Sequence, residues 1–260
     1  ALARTRALLK TGRLSEARQA CQTLVQRWPN RPEGWNYLGV LRYRNGEVAA
    51  GIADVRQALE LASHDADAHA NLGNMLLQQR RHSESEHHLR RALALDPAAT
   101  APRIALSALL RARQQLDDSE SMLLPLLERL PHNGQVQQTY ANLLATRGEY
   151  DRAIKHYQRA LELSPELAHT RLWIGMAFAY SGQVEKARAL FRQLLDQDPG
   201  NAQARHLLAA TGGGDTPDRA SDDYVRDLFD RFASDFDANL TELEYRAPQL
   251  LAPLATPPGN

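Results

Sequence analysis

The sequence predicts an all-α protein, an α-solenoid of about six helix-turn-helix repeats followed by C-terminal helices, and two observations carry that prediction. Pro29, Ser63, Pro97, Pro131, Pro165 and Pro199 stand at strict intervals of 34 residues, five of the six being proline. A fixed period of this length means one supersecondary unit copied head to tail, each copy unable to bury its apolar face without its neighbours. Gly12, Gly46, Gly148 and Gly182 fall seventeen residues ahead of those positions or their equivalents. A helix stops there and the next begins, so each repeat holds two helices.

Within the repeat each recurring residue has a packing reason. Gly39, Gly73, Ala141 and Gly175 sit midway along the first helices, and Ala17, Ala153 and Ala187 near the start of the second. Side chains this small let two helix backbones approach closely. Leu38, Leu72, Tyr140 and Ile174 precede the small residues and supply core, as do Val55, Leu89, Leu123, Tyr157 and Phe191 from the second helices. Departures from the pattern are few: Ser63 replaces a proline, and Gly51 and Ser85 replace alanines. The first repeat has lost most of its opening helix. The fourth, Arg103 to Pro131, keeps only its proline and apolar spacing and is expected to be locally irregular. The array therefore spans residues 1–211, with repeats ending near 29, 63, 97, 131, 165 and 199 and a lone first helix over 201–211. Residues 212–221 read as a linker. Its glycines, Gly212 to Gly214, follow a helix instead of joining strand to helix, which rules out a phosphate loop.

Composition narrows the function. Lys plus Arg equals Asp plus Glu, 31 each, so there is no overall field to gather nucleic acid or an anionic membrane. No apolar stretch approaches the ~18 residues of a membrane span, and no secretory pattern opens the chain. The single cysteine, Cys21, falls on the inner side of its helix as a small hydrophobe. With no partner for a disulfide it is compatible with a cytoplasmic protein, and lysine at only three positions, Lys10, Lys155 and Lys186, suggests a bacterial source. His64, His69, His82, His87 and His88 resemble a metal cluster, but no pair has the i, i+3 or i+4 spacing that shares one helix face, so no metal is expected. Asn239-Leu240-Thr241 fits a glycosylation acceptor, a match expected by chance in a cytoplasmic chain.

Trp35, Leu38 and Gly39 followed by Gly46, and the run Gly148, Tyr150, Ala153, Tyr157, Ala160 and Pro165, resemble the landmarks of the tetratricopeptide repeat over roughly residues 1–211. The resemblance implies a right-handed superhelix whose concave wall is lined by the first helix of every repeat, and a protein or peptide as partner. Projected on this sequence, the wall carries Asn36, Tyr43, Arg44, Asn71, Asn74, Gln78, Arg111, Gln138, Asn142, His169, Trp173 and Tyr180. Amides can hydrogen-bond an extended backbone through donor and acceptor alike, while Tyr and Trp supply contact area. The competing reading is a solvated surface. Some members of the family hold a C-terminal carboxylate with lysine, arginine and paired asparagines; Asn71 and Asn74 match part of that set, but the wall lacks the lysines and no such clamp is expected. A repeat arm serving a glycosyltransferase is disfavoured, since two or three asparagines do not make an asparagine ladder.

Residues 222–260 change character. Val225, Leu228, Phe229, Phe232, Phe236 and Leu240 recur every three or four residues as one apolar stripe behind the helix-starting acids Asp222 and Asp223, and a second short helix follows over 247–254. The run from Asp223-Tyr224-Val225-Arg226 through Leu228-Phe229-Asp230, Phe232-Ala233, Phe236-Asp237 and Leu240, with Tyr245-Arg246-Ala247-Pro248, resembles the lead-in of class I methyltransferase domains joined to tetratricopeptide arrays in bacteria. That likeness implies S-adenosylmethionine as the cofactor of a longer parent protein and makes Phe229, Phe232 and Phe236 a remnant of the cofactor lid. No glycine-rich cofactor turn occurs in these residues, so catalysis is expected to need a domain beyond them. Two functions follow: a substrate-recruiting arm of a methyltransferase, or a non-enzymatic adaptor whose last helices cap the solenoid or pair two chains into a dimer.

Overall fold

The computed structural model describes residues 13–213, together with Thr5 and Leu8. The described residues form twelve α-helices and no strand: α1 (Leu14–Arg27), α2 (Pro32–Arg44), α3 (Val48–Leu61), α4 (Ala66–Gln78), α5 (His82–Leu95), α6 (Thr100–Ala112), α7 (Leu116–Arg129), α8 (Gly134–Thr146), α9 (Tyr150–Leu163), α10 (Thr170–Tyr180), α11 (Val184–Gln197) and α12 (Ala202–Ala210). Thr5 and Leu8 are helical and buried. Two compact units divide the chain between Leu109 and Leu110, inside α6. Consecutive helices pack on one another from α1 to α5 in the first unit and from α7 to α12 in the second, and α2 also touches α4, the equivalent helix one repeat on. The phenylalanine stripe, its proposed lid residues Phe229, Phe232 and Phe236, and the second short helix lie outside the described residues.

The 34-residue period has a hydrogen-bond basis in both units. Side chains six residues after the loop position donate to its carbonyl: Trp35 to Pro29 O at 2.7 Å, His69 to Ser63 O at 3.2 Å and Gln137 to Pro131 O at 2.9 Å. Arg103 and Arg205 do the same to Pro97 O and Pro199 O. Proline offers no N–H of its own, so the loop is tied down through its acceptor, and donors as different as indole, imidazole, amide and guanidinium serve. At the next step Asp65, Asn133 and Asn201 cap α4, α8 and α12 by accepting from Ala68, Val136 and Ala204 N–H. Leu167 holds the equivalent place before α10 and cannot cap. That helix starts late, at Thr170, after a turn over 165–169.

Small residues bring the two helices of a hairpin together. A methyl group on Gly39 would stand 2.7 Å from the Gly51 carbonyl oxygen, and one on Gly51 2.7 Å from that of Gly39, so α2 and α3 meet backbone to backbone. Ser85, where alanine is usual, donates its hydroxyl to the Gly73 carbonyl at 2.8 Å and satisfies an otherwise buried polar group. The fourth repeat corrects the expectation of irregularity. Ser107 and Ser119 take its small positions, exposed 1% and not at all, Leu106 and Leu123 are fully buried beside them, and α6 and α7 keep full length and register. Its one local exception is Pro125 inside α7, which leaves the Ser121 carbonyl without a helical donor.

The inter-helix turn shows a further regularity. Gly46, Arg80, Gln114, Gly148 and Gly182, again 34 apart, all have positive φ, from 56° to 86°. Gly fits this left-handed turn at no steric cost, whereas an L side chain there costs roughly 1–2 kcal/mol. Gln114→Gly is therefore expected to stabilise the array by about 0.5–1 kcal/mol, the gain being trimmed by the freer unfolded chain. Urea unfolding of the two proteins side by side measures it; a less stable variant would remove this account of the turn.

Candidate functional site

In the first unit, α2 and α4 place Asn36, Asn71 and Asn74 around one cavity of about 410 Å³. Asn71 Nδ2 donates to Asn36 Oδ1 at 2.9 Å, and Asn36 is only 6% exposed, so one amide positions the other. Glu33, Asp65, Asp67 and Asp96 complete an acid-and-amide lining. The other wall residues of this unit do different things. Tyr43 donates its hydroxyl to Met75 O at 3.1 Å and accepts from Gln79 Nε2, which joins α2 to α4. Arg44 and Gln78 are exposed and do not line the cavity.

In the second unit a cavity of about 420 Å³ has a different chemistry. Arg111 from the end of α6, Asn142 and Thr146 from α8, and Trp173 and Tyr180 from α10 line it, with Tyr150 and Tyr157 of α9. Tyr157 donates to Asn142 Oδ1 at 2.6 Å, Thr146 Oγ1 donates to Asn142 O at 2.9 Å, and Arg111 Nη1 donates to Thr146 Oγ1 at 3.2 Å. The rings of Tyr157 and Trp173 are 5.9 Å apart; at the rim Tyr150 and Tyr180 stack at 5.5 Å and 22°, with Tyr180 67% exposed. Burial raises the Tyr157 hydroxyl above the ordinary phenol range and lowers the Arg111 guanidinium from its usual value. Gln138 and His169 lie one step back. Gln138 Nε2 reaches Thr170 Oγ1 at 2.5 Å and His169 Nε2 at 3.1 Å, and the His169 ring stands edge-on to Trp173 at 4.9 Å, so this pair supports Trp173.

Arrays of stacked hairpins are built by several repeat families, and the comparison that decides among them is the match of tetratricopeptide repeat profiles to residues 2–65, 38–100, 104–168 and 144–211. The chain belongs to the tetratricopeptide repeat family. Proteins of this family typically bind proteins or peptides. A stretch of 97 residues is 32% identical to Protein CTR9 homolog of Arabidopsis thaliana, covering 37% of this chain and 9% of that protein's length. Among solved structures, YrrB, described as a TPR protein with an unusual peptide-binding site, is 21% identical at a TM-score of 0.53 over 72% of this chain and 96% of its own. Pseudomonas aeruginosa pilF is 19% identical at 0.65 over 79% and 94%; a chain of the APC/C hetero-tetramer Cut9-Hcn1 is 15% identical at 0.70 over 80% and 41%. At these identities the likeness to solved structures is one of fold.

Against the tetratricopeptide register, two features of the second cavity stand out: the hydroxyl of Tyr157, a residue the sequence assigns to the core, and the charge of Arg111, which it places on the wall. Tyr157 occupies the core column of Val55, Leu89, Leu123 and Phe191, and it alone there carries a hydroxyl, which reaches the cavity amide. Arg111 shares its column with Tyr43, Leu77, Ala145 and Ala179, so a charge stands where the repeat needs none. The histidines need a correction as well. Spacing along one helix missed the contact between α4 and α5, where His69 Nδ1 and His88 Nδ1 lie 2.9 Å apart. The Ser63 carbonyl can only accept, so His69 carries its proton on Nε2 and His88 donates from Nδ1. Burial lowers both rings, His88 to about 4, and the pair packs neutral at pH 7. Among the described residues no three metal-ligating side chains converge, and no helix is long and apolar enough to cross a membrane.

Proposed function

We propose that this chain is a peptide-binding scaffold that holds extended segments of a partner protein along the first-helix faces of its repeats. The observation that carries the reading is that eight side chains from first helices, Asn36, Asn71, Asn74, Arg111, Asn142, Thr146, Trp173 and Tyr180, collect around two cavities instead of scattering over the surface. Amides suit main-chain capture, and the aromatic rings suit side-chain anchors. The unusual peptide-binding site attributed to YrrB is consistent with this use of the fold. Selection of a random 12-residue phage-displayed library on the full immobilised chain tests it. Enriched sequences are expected, with recovery falling about tenfold for the Asn71→Ala, Asn74→Ala, Asn142→Ala triple variant; no enrichment, or equal recovery by the variant, would remove both cavities from the reading.

A second layer concerns residues 222–255. Their resemblance to a methyltransferase lead-in supports a role as the recruiting arm of an S-adenosylmethionine-dependent methyltransferase, in which the array raises the local concentration of substrate beside a catalytic domain, and the single cysteine, Cys21, is compatible with a cytoplasmic place for it. Phe229, Phe232 and Phe236 are then part of a cofactor lid. Reading the gene past codon 260 tests this. A strand followed by a glycine-rich turn upholds it, whereas an immediate stop codon leaves the adaptor, with those residues as a cap or dimer contact.

A further inference from the structure

We infer that the cavity of the second unit is a selective pocket for an acidic side chain, Asp or Glu, presented beside a large apolar residue of the bound peptide; the inference rests on the scaffold reading above and names what this site selects. The cavity is rich in donors and poor in acceptors. Of the five N–H groups of a guanidinium, Arg111 uses one, toward Thr146 Oγ1, and no carboxylate among the described residues pairs with it. The Asn142 oxygen is already taken by Tyr157, and its amide nitrogen has no hydrogen-bond partner among the described residues. Among the described residues no Asp or Glu lines the space. A largely buried cation left without an anion is costly to keep. Nearby arginines are treated otherwise: Arg147 is held by Glu120 at 2.6 Å and Asp117 at 2.5 Å.

The fold does not ask for this charge, because the same column holds Tyr43, Leu77, Ala145 and Ala179 in the other repeats. What the arrangement lacks is an acceptor bearing one negative charge. One cation and one amide suit a carboxylate; a phosphate monoester, near two negative charges, is matched by clusters of cations, and among the described residues no second Lys or Arg lines this cavity. The remaining wall is aromatic and apolar, Tyr150, Tyr157, Trp173, Met176 and the exposed Tyr180. At about 420 Å³ the space exceeds what a carboxylate needs and admits an adjoining large side chain. This is not the lysine-dependent capture of a chain terminus. It is recognition of an internal acid by a single arginine set among rings.

The test uses the full chain, the same phage library and the peptide it selects, synthesised with a fluorescent label. Trp173 lies in the cavity and gives an independent fluorescence signal. Selected sequences are expected to share an Asp or Glu next to a large apolar residue. Changing that acid to its amide should weaken binding to the wild-type chain by about 10- to 100-fold, the range for losing a hydrogen bond to a charged group. Arg111→Lys should keep the preference for acid with weaker binding, and Arg111→Met should abolish it. Thermal unfolding separates this role from a structural one: Arg111→Met is expected to melt at the same temperature as wild type or higher, because an uncompensated buried charge is gone. Peptides selected without an acid, equal affinity for acid and amide, a phosphoserine peptide preferred over the acid, or a lower melting temperature for Arg111→Met would each overturn the inference. The first two outcomes leave the scaffold reading standing. A library that yields no peptide at all removes both.

Discussion

Phe191→Ala is expected to cost the second unit about 3–5 kcal/mol, the range for truncating a fully buried aromatic side chain. Phe191 is wholly inaccessible and packs with Ala187, Leu194, Ala204 and Leu208, so it ties α11 to α12. Its ring also lies over Gly175 of α10, where an added methyl group would stand 2.3 Å from Cε1. That contact sets the sign of a second substitution. In the wild-type chain Gly175→Ala drives a methyl into a ring that a close-packed core cannot move aside, and stability falls. With alanine at 191 the obstacle is absent, and the same change gains helix propensity, about 1 kcal/mol relative to glycine. The double-mutant cycle should therefore show Gly175→Ala destabilising in one background and stabilising in the other. Because repeats contact only neighbours, hydrogen exchange should quicken in α10 to α12 and stay unchanged in α1 to α4. The same sign for Gly175→Ala in both backgrounds would show that the ring is not what keeps that position small.

The fold was legible because the information specifying it is periodic. Helix pairing, small-residue columns and core columns repeat every 34 residues, so Phe191, Leu89 and Val55 could each be assigned to the core from their register alone. Departures were harder to read. The fourth repeat looked irregular because serine was not counted among small residues, yet Ser107 and Ser119 fill the same volume with no loss of helix. The left-handed turn was seen only where glycine marks it, while Arg80 and Gln114 adopt it without that marker. Of the residues projected onto the wall, Asn36, Asn71 and Asn74 line one cavity and Arg111, Asn142, Trp173 and Tyr180 the other. The finer chemistry of the candidate site depends on contacts between helices. Tyr157 reaches Asn142 from the second helix, His69 meets His88 across a hairpin, and Asn36 meets Asn71 across a repeat. Sequence spacing along one helix carries no record of such pairs.

The ion pair between Arg42 of α2 and Asp54 of α3 gives the second large effect, and its size depends on pH. Arg42 Nη1 reaches both Asp54 oxygens, at 2.8 and 3.0 Å, while Asp54 is 6% exposed. Burial raises the Asp54 carboxyl above the ordinary carboxylate range, and it does so against the opposing pull of Arg42. A carboxyl whose folded pKa lies above its unfolded one favours the native state when protonated. Its contribution is therefore fully present below the unfolded pKa of 3.8 and is lost as pH rises through the raised folded value. Removing Arg42 raises that value further and leaves a buried charge unpaired at neutral pH. Arg42→Met is accordingly expected to cost about 3 kcal/mol at pH 7, toward the lower end for a broken buried pair because the Arg42 side chain is 27% exposed. The loss should be smaller at pH 4.5, since lower pH favours the protonated form of Asp54, which needs no partner. The buried histidines His69 and His88 titrate in every variant and cancel in the difference. Arg42→Met with Asp54→Asn should recover most of the stability at pH 7, because an amide carries no charge to strand. Urea unfolding of the three proteins at both pH values decides the matter: a loss for Arg42→Met that is the same at pH 7 and pH 4.5, or that the second substitution fails to recover, would mean that Arg42 stabilises the hairpin by packing and not by compensating Asp54.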